Sequence, residues 1–215
     1  MTLAELRDRF RLEEFDTTLP YLWSDVELNT WINEAQDEAC RRALLLVDSK
    51  SRAAKVAFPA GATGITLHPS VIFIRRATLA SNNIPLQPRV SRYMDEEVPG
   101  WEGSMPSKVR VFVPDWQTGY LRFWPPSVAA DTVNMTVVRA PMAPAEDGDQ
   151  MEIPLRYQPF LLDWVRFRAY RKQDAEVFNA DKSKQSEASF VAQFGPASAV
   201  NEHWALEQYY DLGHN

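Results

Sequence analysis

The chain has a single cysteine, Cys40, in 215 residues. That excludes an internal disulfide and a zinc site built from several thiolates. It also lacks a basic surplus: 23 Lys and Arg stand against 29 Asp and Glu, a formal net charge of −6. Affinity for phosphate backbones grows with every counterion released, so holding nucleic acid as the main task is disfavoured. No apolar run approaches the ~20 residues needed to span a bilayer. Residues 1–8 are amphipathic and charged, unlike a secretory signal, so a soluble protein made in a cytoplasm is expected. Glycine is scarce, 8 against 15 prolines, which favours stiff turns over flexible ones. Gly61-Ala62-Thr63-Gly64 has neither the lysine nor the following helix of a phosphate loop.

What is present is the composition of a folded protein, 45% hydrophobic, 24% charged and 12% aromatic. A short helix is expected over residues 1–15, with Leu3, Leu6, Phe10 and Leu12 on one side, broken by Leu19-Pro20-Tyr21-Leu22-Trp23. Ser24-Asp25-Val26-Glu27 carries the S-x-x-E spacing of a capping box. Leu28, Ile32, Ala35, Ala39, Ala43 and Leu46 then recur at helical spacing to about residue 48. From Ala53 to Ala140 the pattern changes to short β-rich runs at 55–58, 64–67, 71–80, 84–87, 108–113, 119–124 and 132–139, with Asn82-Asn83 as a tight turn. Val109, Val111 and Val113 alternate with Arg110 and Phe112, which predicts antiparallel strands with one buried face. Residues 141–153 read as a connector. Pro154 and Pro159 fit first-turn positions of a helix carrying Leu161, Trp164 and Val165. Asp174 is the expected N-cap of a last helix, which Gly195-Pro196 ends after Phe194.

The fold expected is α+β: an antiparallel helical bundle from both chain ends with an inserted antiparallel β-sandwich or barrel-like region. The parts are residues 1–52 (helical), 53–149 (β), 150–195 (helical) and 196–215 (an aromatic tail for an interface or portal docking).

No constellation for catalysis, cofactor or metal emerges. His68, His203 and His214 are far apart and read as surface or capping residues. Cys40 falls on the long amphipathic helix beside Ala39 and reads as a small core residue and not a nucleophile. Asp147-Gly148-Asp149 and Glu152 lack the spacing of a calcium loop and read as solvated. Asp95-Glu96-Glu97 is a charged solvent face with no opposing carboxylate. Arg166, Arg168, Arg171, Lys172, Lys182 and Lys184 alternate with acidic residues, as in ion-paired helices. What remains is surface: Trp23, Trp101, Trp116, Trp124 and Trp204 lie in or beside loops, short strands or the tail. Trp and Tyr are favoured interface anchors, so Trp101, Trp116, Trp204, Tyr209 and Tyr210 are the candidate interface residues.

Two segments carry a family resemblance. Leu22-Trp23-Ser24-Asp25-Val26-Glu27-Leu28, followed by Trp31-Ile32-Asn33-Glu34-Ala35-Gln36, resembles the capped first long helix of bacteriophage head-to-tail adaptor (connector) proteins, "W-S-D-x-E-L" and then "N-E-A-Q". Ile153-Pro154-Leu155-Arg156-Tyr157, with Asp163-Trp164 and Arg168-Ala169-Tyr170, resembles their later helix; Pro99-Gly100-Trp101 is a weaker match. Pro159 departs from the pattern, and the tail after Gly195 has no counterpart in it.

The resemblance implies a non-enzymatic virion protein at the head–tail junction, made in the host cytoplasm. It implies a ring, commonly of twelve subunits, between the portal protein and the tail tube or nozzle. DNA would pass through the lumen without sequence-specific binding, and no membrane or cofactor is involved. The other reading is a binding module that displays Trp101, Trp116 and Trp124 to carbohydrate or a host surface; an enzyme using the acidic clusters is a third.

Overall fold

A computed structural model describes residues 1–174 and 176–197. In chain order these form α1 (Leu3–Glu13), α2 (Asp25–Ala43), β1 (Leu46–Asp48), β2 (Lys55–Phe58), β3 (Gly64–Thr66), β4 (Val71–Leu79) and β5 (Gln87–Pro88). There follow α3 (Ser91–Glu97), β6 (Val111–Gln117), β7 (Tyr120–Trp124), β8 (Asp131–Arg139), α4 (Leu161–Arg171) and α5 (Ala180–Phe194). The class is α+β. The chain divides into two compact units, a helical one of residues 1–46 with 140–197, and a β unit of Val47–Arg139.

In the helical unit, local chemistry sets the helix ends. Thr2 with Glu5, and Ser24 with Glu27, form reciprocal capping boxes that satisfy free amides at the starts of α1 and α2. Helix α2 stops earlier than its periodicity suggests: Leu44 turns left-handed (φ 52°), and Leu46 enters a strand. Pro154 precedes, and Pro159 lies inside, a 3-10 helix (Leu155–Phe160) that leads into α4. Asp174 caps no helix; it accepts a turn bond from the Glu176 amide, and Asn179 caps α5 through the Lys182 amide. Gly195, at φ 91°, ends α5 with a backbone that a side chain would strain.

Polar side chains tie the distant chain segments of this unit together. Asn33 on α2 accepts from the Ala145 amide and donates to its carbonyl. Gln36 accepts from the amides of Glu152 and Ile153. The acidic segment read as a solvated loop has a structural task as well. The carbonyls of Asp147 and Asp149 receive the amides of Ala4 and Leu3, and the Asp147 carboxylate takes Arg7 at 2.8 Å and Asn29 at 3.1 Å. Arg7 holds that carboxyl below its usual range.

In the β unit, β8 is the hub of the first sheet, pairing with β1, β2 and β4; the second runs β3-β7-β6-β5. The sheets share one apolar cluster, in which Phe58, Ile74, Val133 and Val137 meet Ile65, Phe112, Leu121 and Phe123. They do not close into a barrel. Two expectations are corrected. The pairing is not wholly antiparallel, because β5 runs parallel to β6. Strand β6 is not buried on one face alone: Phe112 faces the shared cluster, while Val111 and Val113 pack with Met94 and Trp101. That second cover comes from α3, unforeseen in the sequence, whose first amide is held by Asp115 of β6 at 2.8 Å. Bulges in β4 put Phe73 and Ile74 both inside, which breaks simple alternation. At Gly64, a Cβ would come within 2.2 Å of the Leu121 carbonyl, so β3 can approach β7 only as glycine.

Candidate assembly surfaces

The elbow between α1 and α2 is locked on its inner side. The Arg11 guanidinium, 5% exposed as a residue, pairs with buried Asp16 at 2.5 Å, the Trp23 carbonyl at 2.8 Å and Asp25 at 2.6 Å. It also lies 3.7 Å from the centre of the Tyr21 ring. Asp16 receives the Leu22 amide as well. Trp23 is buried edge-on between Phe10 and Tyr170, and its Nε1 donates to the Ala169 carbonyl at 3.3 Å. Tyr170 donates to Glu14, which also takes Arg166; burial and that hydrogen bond hold the Tyr170 phenol well above its usual range.

The outer side is apolar and bare. Phe15 is 91% exposed, Val26 76%, Leu19 74%, Leu12 69% and Leu22 44%. Leu12 thus faces away from the core side assigned to it by helical periodicity. Phe15 also adopts a left-handed backbone (φ 59°), an uncommon conformation that glycine or asparagine would take at lower cost. A frame held by buried charges therefore carries aliphatic and aromatic groups left largely open to solvent. Large apolar groups this exposed make the elbow a candidate surface for contact with another molecule. In the sequence, 19–23 is a helix break whose Leu22-Trp23 also opens the family motif, with no regular spacing to mark the stretch as an apolar rim. The usable signal was Leu12, Phe15, Leu19 and Leu22 flanking a proline, too irregular for either helix or strand.

The candidate interface tryptophans lie in different settings. Trp101 is 2% exposed and stacks edge-on against half-buried Trp116, centroids 5.3 Å apart. Arg122 covers both rings, at 4.4 Å from Trp116 and 5.1 Å from Trp101. The Trp101 Nε1 donates to Asp95, and Trp124 to Ser104. Trp101 is thus engaged within its own unit rather than displayed as a stacking platform. Trp204, Tyr209 and Tyr210 lie outside the described residues, as do His203 and His214. Cys40 is buried, and His68 bonds Ser70 within a turn. Among the described residues no group of three or more His, Cys, Asp or Glu could hold a metal, and no helix is long and apolar enough to cross a membrane.

Of the basic residues, Arg166 joins Glu13, Glu14 and Asp163; Arg168 pairs with Glu34 and Lys172 with Glu27. These cations align helices from both chain ends. The ion pairs of these helices register segments of the helical unit against one another. Over residues 1–208 the chain matches the family model described as SU10 adaptor protein, and it belongs to that family of phage head-to-tail adaptors. The family is a structural one, whose role implies contact with other head and tail proteins of the virion. No curated protein matches the chain.

Proposed function

We propose that the chain is a ring-forming adaptor that joins the portal to the tail tube or nozzle and lets packaged DNA pass through its lumen. The observation carrying this reading is the rigid elbow with its uncovered apolar rim, in a chain that belongs to an adaptor family. Helices from both chain ends build an antiparallel bundle as the ring wall. The rim of one copy meets a different face of the next, a heterologous contact whose rotation closes, with twelve copies as the expected number. The net charge of −6 suits a lumen that repels phosphate, so DNA slides without being held.

Purified protein mixed with portal rings and imaged by negative stain tests the reading. Closed rings stacked on one end of the portal are the expected result. Subunits that stay monomeric beside unoccupied portals would overturn it. The carbohydrate-binding alternative requires a saturable change in tryptophan fluorescence on titration with glycans, and the burial of Trp101 speaks against it.

A further inference from the structure

We infer that a groove on the β unit is the seat of the chain's own C-terminal aromatic segment, residues 198–215, supplied by the same or a neighbouring copy. The groove encloses about 520 Å³ between the residues leading into β5 and those leading into β6. Its floor and walls are Ile84, Pro85, Leu86, Val109 and Trp124. Ile84 is 51% exposed, a large aliphatic group with its outer half bare. Along the rim stand Lys108 and Arg110, both exposed, and neither makes an ion pair with any described residue. Lys108 and Arg110 set two positive charges beside an apolar trough, a pattern suited to a complementary ligand. The fitting ligand is apolar or aromatic with flanking negative charge.

Residues 198–215 have that chemistry. They hold Trp204, Leu206, Tyr209, Tyr210 and Leu212, interleaved with Glu202, Glu207 and Asp211, and contain no Lys or Arg. A space of this volume takes a few side chains and not the whole segment. Trp204 therefore enters between Ile84, Pro85 and Trp124, with Glu202 and Glu207 facing Lys108 and Arg110.

The test uses the full-length chain carrying a photo-cross-linking phenylalanine analogue at position 204, with cross-linked peptides identified by mass spectrometry. Cross-links to residues 82–87, 108–111 or 124 are expected. Their yield should fall about tenfold in K108E/R110E, the scale of reversing two rim charges, and recover when E202K/E207K is added. Both groove substitutions are at exposed positions, so the fold is preserved. Cross-links mapping elsewhere, or a yield indifferent to the charge reversals, would overturn the inference. Ring formation is scored separately by sedimentation. A groove cross-link in a chain that never forms rings would uphold this inference while defeating the ring reading.

Discussion

The two units reach stability by different means. The helical unit gathers segments from both chain ends and registers them with buried or half-buried charge. Arg166 with Glu13 and Glu14, Arg168 with Glu34 and Arg7 with Asp147 link the two ends, while Arg11 with Asp16 locks the elbow locally. The β unit is continuous in sequence, and hydrogen-bonded ladders already fix its register. It relies on apolar packing between two sheets, with Arg139–Asp48 as its main enclosed ion pair. Helices slide along one another with little penalty from apolar contact alone, so specific polar links must set the register. A strand slipped by one residue turns its core face outward, and so needs no such help.

Substitutions can break this contrast. Arg11→Ala strands the Asp16 carboxylate in an interior site and should destabilise by about 4 kcal/mol, visible as a lowered urea midpoint. Phe123→Ala empties the shared sheet core and should cost about 3 kcal/mol by the same measurement, with no polar group orphaned. Gln36→Ala leaves two connector amides without their acceptor; about 2 kcal/mol should be lost, with faster hydrogen exchange at Glu152 and Ile153. Ser24→Ala removes one cap of α2, for about 1 kcal/mol.

A pH dependence sharpens the contrast on the β side. Burial works to raise the Asp48 carboxyl, but hydrogen bonds from Ser51, Lys50 and Arg139 overcome it and hold the group well below the usual range. A depressed carboxyl contributes stability that is present above its unfolded value of about 3.9 and is lost as pH falls toward its folded one. Asp48→Asn should therefore flatten the fall in stability below about pH 4, measured by denaturant titration at several pH values.

Much of this architecture is legible in the residues, for local reasons. The capping box at Ser24, the Asn83 turn and the Gly195 stop are set by neighbours in sequence, and all seven expected strand runs overlap observed strands. What escaped depends on distant partners. Leu46 continues a helical stripe, yet the chain turns at Leu44 and the strand pairs with β8. Residues 91–97 lack a clear apolar stripe, and their helix is held by Asp115 from a strand. The 141–153 segment looks like a plain linker because its anchors, Asn33 and Gln36, lie over a hundred positions away. For the surfaces, favouring tryptophan pointed toward Trp101, which the fold buries. The elbow's bare side chains are Phe, Leu and Val, and their exposure follows from the lock at Arg11, which no spacing announces.

The most direct measurement is on the elbow itself. Phe15→Glu with Leu19→Glu changes only exposed side chains, so the circular dichroism spectrum and urea midpoint should match the unaltered chain. Sedimentation velocity in the presence of portal should then show closed rings for the unaltered chain and monomers for the double variant. Rings of unchanged size and yield from the double variant would contradict the account.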